Sequence, residues 1–121
     1  MNNDFKDEVV VEEGIFNNSL FVKHNRLLHK IEFSNIHWIE SDGNYSTIIT
    51  EGKKYLIRRS LTKLMDNLPG GMFLRINKSC IVQSEMITQI DPTNNTIYLG
   101  DNQFPLGRNY KRPILDKLNV L

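Results

Sequence analysis

Apolar and polar positions alternate in short runs from Leu20 onward, and a turn signal closes almost every run. Leu20–His24 and Leu27–Ile31 flank Asn25 and Arg26. Ile36–Ser41 and Tyr45–Thr50 flank Asp42-Gly43-Asn44, a residue triplet suited to a tight hairpin turn. Glu51-Gly52 then leads into Lys54–Arg58. Further along come Phe73–Ile76, Cys80–Gln83, Ile87–Ile90, Thr96–Leu99 and Gln103–Pro105, the last three separated by Asp91–Asn95 and Gly100–Asn102. Many short strands at close spacing predict antiparallel meanders.

Two segments carry a helical period instead. Ser60 is suited to an N-cap, and Leu61, Leu64, Met65 and Leu68 form one apolar stripe that Pro69-Gly70-Gly71 ends. Near the C-terminus Tyr110, Ile114, Leu115 and Leu118 share a face. Because proline is tolerated only in a first turn, Pro113 predicts that this helix begins close to Asn109 or Tyr110. The reading is a mostly-β domain with two short helices. Residues 1–14, acidic and without sustained amphipathic pattern, read as a tail or linker, and residues 15–121 as the domain.

A length of 121 residues fits one domain, and 40% hydrophobic with 24% charged residues fits a globular one. The single cysteine, Cys80, excludes an internal disulfide and a cysteine-based zinc site, and a reducing cytoplasm suits it. The acidic start lacks the features of a signal peptide, and no apolar run approaches a membrane span.

Charge changes the picture more. Residues 1–52 hold four Lys and Arg against nine acids, a net −5, whereas residues 53–121 hold eleven against five, a net +6. A basic half can present a positive face to a polyanion. Its cations stand beside turns: Lys53 and Lys54 after Gly52, Arg58 and Arg59 before the Ser60 cap, Lys78 between two strands, and Arg108 after Gly107 with Lys111 and Arg112 close behind.

Catalytic patterns are missing. Gly70-Gly71 is not a phosphate loop, and His24, His29 and His37 lack metal-ligand spacing. Cys80, flanked by Ile81 and Val82, reads as an inert strand residue. No enzyme activity and no cofactor are expected. Neither helix looks like a major-groove recognition helix, so if DNA is read, loops must read it. The competing class is a protein-interaction module that uses exposed strand edges and the acidic tail.

Four ordered motifs resemble the LytTR family, the DNA-binding output domain of many bacterial response regulators. They are Ile36–Glu40 with Asp42–Tyr45; Arg59-Ser60-Leu61 before a short helix; Phe73–Ser79 followed by Ile81-Val82; and Pro105–Tyr110. Asn77, Gln83 and Gly107 stand where the family pattern has His, Asn and a common Ser. The resemblance covers about residues 18–120. It implies an elongated stack of antiparallel β-sheets whose loops enter successive major grooves of bent double-stranded DNA.

Carried over by position, it assigns base contacts to Asn44, Tyr45, Asn77, Lys78, Arg108 and Asn109. Arg108 is suited to guanine, and Asn44 or Asn109 to adenine. Lys54, Arg59, Lys111 and Arg112 become backbone contacts. Arg75 reads either way, as a DNA contact or as a buttress of the loop through a carboxylate. The resemblance also implies tandem or direct-repeat sites, a homodimer on DNA, and an upstream receiver domain outside this chain.

Overall fold

Alternation with a period of two sends neighbouring side chains to opposite faces of a strand. In the computed structural model, which describes residues 9–121, that alternation feeds two separate cores. Val9–Asn18 is exposed and holds only turns before the first strand. The rest of the predicted tail, residues 1–8, lies outside the described residues.

Strands β1 (Ser19–His24) and β2 (Leu27–Glu32) form an antiparallel hairpin. Its turn, Asn25-Arg26, takes positive φ at both positions, the twist that suits a two-residue hairpin. Five strands follow, β3 (Ile36–Asp42), β4 (Tyr45–Thr50), β5 (Lys53–Ile57), β6 (Phe73–Asn77) and β7 (Cys80–Gln83). They make one antiparallel sheet in the order β5-β4-β3-β7-β6. The third sheet, β10-β9-β8, uses β8 (Gln89–Asp91), β9 (Thr96–Leu99) and β10 (Asn102–Pro105).

The five-stranded sheet is the middle layer. On one face Ile39, Ile48, Phe73 and Ile81 pack with Val22 and Ile31 of the hairpin and with Leu61 and Leu64 of helix α1 (Leu61–Met65). On the other, Ile76, Cys80 and Val82 meet Ile97 and Leu99 of the third sheet and Ile114 of helix α2 (Arg108–Leu115). Trp38 joins this second core, its ring edge-on to Phe104 at 5.0 Å. A bulge between Ile36 and Trp38 lets Ile36 and Ile39 reach the same core despite their odd spacing. The expected stack of antiparallel sheets with two short helices is what the chain forms.

Three local expectations need correction. Helix α2 begins at Arg108, so Pro113 is its sixth residue, beyond the first turn. The helix tolerates the missing N–H because it ends two residues later, with Tyr110 and Ile114 anchoring it to the second core. The expected strand at Ile87–Ile90 is Gln89–Asp91, because Ser84–Met86 forms a single 3-10 turn that takes the chain past Ile87. Helix α1 stops at Met65; Leu68 is buried from the turn beyond it. Its start is as expected, with Ser60 Oγ accepting the Lys63 N–H at 3.3 Å.

Gln83, only 5% exposed, ties the middle sheet to the segment that precedes β3. Its Nε2 donates to the Ser34 carbonyl at 3.1 Å and the Ile36 carbonyl at 2.8 Å. Gln83→Leu strands both acceptors, and urea denaturation should show a loss of about 2 kcal/mol, in the range for buried groups left unpaired. An unchanged midpoint would refute this role.

Candidate nucleic-acid interface

Antiparallel connectivity decides which turns meet. The β3–β4 turn at Gly43-Asn44 and the β6–β7 turn at Lys78-Ser79 lie at the same end of the middle sheet, where Ser41 N–H donates to the Ser79 carbonyl at 2.9 Å. Gly43 takes φ +64°, which allows the two-residue turn, and Asn44 and Tyr45 stand exposed beside it. Strand β5 ends at this same edge, paired through Ile57 to Ser46, and Ser46 Oγ donates to the Arg59 carbonyl at 2.6 Å.

The link between β10 and α2 reaches the edge from another sheet. Asn77 Nδ2 donates to the Pro105 carbonyl at 2.7 Å, and Gly107 N–H donates to the Ile76 carbonyl at 2.7 Å. Asn77 Oδ1 meanwhile accepts the Ser79 N–H at 2.8 Å. A bulge between Arg75 and Asn77 re-aims this turn. Gly107 makes the approach possible, since a Cβ there would stand 3.2 Å from Asn77 Cα and Cβ and 3.0 Å from the Tyr110 ring.

Arg75 supports the same turn from beneath. Its guanidinium donates to the Lys78 carbonyl at 2.6 Å, the Asn77 carbonyl at 3.3 Å and Thr62 Oγ1 at 3.0 Å. The expected carboxylate partner is replaced by two carbonyls and a hydroxyl, which lash the β6–β7 turn to α1.

The structure thus brings Asn44, Tyr45, Asn77, Lys78, Arg108, Asn109 and Arg59 together at one end of the molecule. Lys78, Arg108 and Asn109 are exposed, and among the described residues no protein group hydrogen-bonds to or ion-pairs with the Arg108 guanidinium. Arg59 is partly engaged, donating to Asn67 Oδ1 at 2.9 Å. Lys111 Nζ donates to the Pro92 carbonyl at 2.6 Å. Arg112 faces Asp116 at 3.7 Å in an exposed pair of little energetic weight. Lys54 is not part of the cluster: it pairs with Ile49 toward the opposite end of the sheet, beside the β4–β5 turn.

Two neighbours visible in the sequence were given no contact role there. Arg58 stands exposed next to Arg59, and the Pro92–Asn95 turn joins the edge through Leu106 N–H, which donates to the Asn95 carbonyl at 2.8 Å. Asp91 shapes that turn by accepting from the Asn94 and Thr93 amides, and these bonds hold its carboxyl below the usual range. The turn signal was visible in the residues; its position beside α2 depends on the register of the third sheet.

Cys80 carries no reactive thiol. Burial first, and then the nearby Glu40 carboxylate, push its pKa up to about 12. No group of three metal-ligating side chains occurs among the described residues, and none of their helices is long and apolar enough to cross a membrane.

A three-layer β stack that gathers exposed basic and amide side chains on loops at one end suits a nucleic-acid-binding domain. The LytTr DNA-binding domain family matches residues 26–119, and the chain belongs to that family. A solved LytTr DNA-binding domain from Bacillus cereus superposes with a TM-score of 0.70 at 20% identity, covering 82% of this chain and 94% of that one. The sensory transduction protein LytR of Streptococcus agalactiae is 31% identical over 78 residues, 61% of this chain and 32% of that protein. The heme-containing CO-sensing transcriptional regulator RcoM 2 of Paraburkholderia xenovorans is 26% identical over 96 residues, 75% of this chain and 36% of that protein. The chain spans about a third of the length of these curated relatives.

Two outcomes follow. Asn77→Ala removes the donor to Pro105 and the acceptor for Ser79, and chemical denaturation should register a loss of about 1 kcal/mol; wild-type stability would show that the staple is dispensable. Because the folded state favours the protonated Cys80 thiol, its contribution is complete below the ordinary value of 9.0 and is lost as pH rises toward about 12. A thiol reagent at mildly alkaline pH should therefore label Cys80 only as fast as the chain opens. Fast labelling of the folded protein would contradict this.

Proposed function

We propose that this domain binds double-stranded DNA sequence-specifically, as the output domain of a bacterial transcriptional regulator, by placing its clustered loops in successive major grooves. The observation that carries the reading is the asymmetry at the edge. Asn77, Arg75 and Gly107 use their bonds and their space to hold the loops together, whereas Lys78, Arg108 and Asn109 point to solvent. Side chains held on a rigid frame with their donors free are what base readout requires.

In this reading Arg108 addresses guanine, Asn44 and Asn109 address adenine, and Tyr45 packs against the groove wall. Lys78 is a further base reader, Arg59 and Arg58 meet phosphates, and Lys111 and Arg112 flank them along α2. Asn77 acts by positioning the Arg108 loop. Arg75 does the same for Lys78. Lys54 lies outside this footprint.

The relatives are named as a sensory transduction protein and a heme-containing CO-sensing transcriptional regulator. We infer that input to this domain comes from outside the segment, from a receiver or another sensor, and that it binds tandem or direct-repeat sites as a homodimer in the cytoplasm.

Selecting duplexes from a random pool supplies the cognate site for the test. Arg108→Ala should then cost about 1–3 kcal/mol of specific binding and relax preference at one position. With roughly four to six phosphates neutralised, log affinity should fall with log salt at a slope of about −4 to −5. An Arg108→Ala variant with unaltered preference, or a flat salt response, would overturn the assignment.

A further inference from the structure

On one flank of the domain two strands leave open edges. Strand β1 pairs only with β2, and β5 is the outer strand of the middle sheet. Between them runs a cleft of 590 Å³ lined by Ser19–Lys23, by 56–59 and by Leu64 and Asn67. Open edges present unpaired amides and carbonyls to any extended chain that reaches them.

The cleft is basic, through Lys23, Arg58 and Arg59.

The same chain carries the complement. Val9, Val10 and Val11 are 82%, 82% and 61% exposed, a β-branched run suited to a strand and unsuited to solvent. Acids bracket it at Glu8, Glu12 and Glu13. Within one chain the two halves stay apart: the turns from Glu12 to Ser19 hold Val9–Val11 exposed, and the cleft is open.

We propose that the cleft receives Val9–Glu13 of a second copy as an added strand, reciprocally, so that two copies exchange their N-terminal arms. The donated strand runs along the β1 edge, whose five lining residues span about 17 Å at roughly 3.3 Å per residue, matched to a five-residue arm. It covers the valines and sets Glu12 and Glu13 against Lys23 and Arg58. Exchange of an identical element between two copies makes a closed, isologous dimer at little cost in new structure. This surface leaves out Arg108 but shares Arg58 and Arg59 with the end proposed to face DNA, so association is read without nucleic acid.

Sedimentation velocity across a wide concentration range, without nucleic acid, tests it. The wild-type mass should rise from 14.1 kDa toward twice that value. Glu12→Lys with Glu13→Lys should stay monomeric, as should Lys23→Glu with Arg58→Glu, each with wild-type circular dichroism. Mixing the two variants restores both charge pairings and should recover the dimer. A wild-type chain that stays monomeric throughout, including one whose own arm becomes protected from amide exchange, overturns the proposal. So does a dimer that survives both double substitutions, or a mixture that fails to associate.

Discussion

One side chain joins the parts of this molecule that must act together. The Asn77 carboxamide donates to Pro105, 28 residues away, while accepting from the Ser79 amide within its own turn. Those bonds fasten the link before α2, which belongs to the third sheet, onto the β6–β7 turn of the middle sheet. The Gly107 amide, donating to the Ile76 carbonyl, draws the two closer still. Without this staple Arg108 and Lys78 would sit on independently moving loops. Readout by loops needs their relative position held, and the bonds here are short and made largely to backbone carbonyls.

Beneath the staple, the layering explains why the loops converge. Two cores grip the middle sheet from opposite faces, so its strand ends are fixed by burial of Ile39, Ile48, Ile76, Ile81 and Val82, all nearly inaccessible to solvent. The third sheet is anchored through Ile97 and Leu99, and its outgoing strand delivers Pro105 to the edge. Arg75 completes the frame from the α1 side. The energetic weight lies in the cores, and the hydrogen-bond network directs it toward one edge.

Much of this was legible in the residues. Period-two alternation and turn triplets such as Asp42-Gly43-Asn44 marked the strands, and Ser60 with the Leu61 and Leu64 stripe marked α1. The exposed cations flanking turns and the four ordered motifs pointed to the edge. What was not legible depended on register and long-range contact. Lys54 and Arg59 look alike as cations near turns, yet antiparallel pairing sends them to opposite ends of the sheet. Arg75 finds carbonyls because the bulge beside it turns the Asn77 and Lys78 carbonyls toward its guanidinium. Pro113 misled the placement of α2 because tertiary anchoring by Tyr110 and Ile114 outweighs one missing helical bond.

In the proposed reading one edge, assembled from the β3–β4 and β6–β7 turns and the β10–α2 link, meets the duplex. Amide chemical shifts followed during titration with a selected duplex test it directly. The largest changes should fall at 43–45, 77–79 and 106–109 together, with the Glu51–Lys54 region silent. Changes centred on the Lys54 end, or confined to one loop while Arg108 and Lys78 stay unmoved, would contradict it.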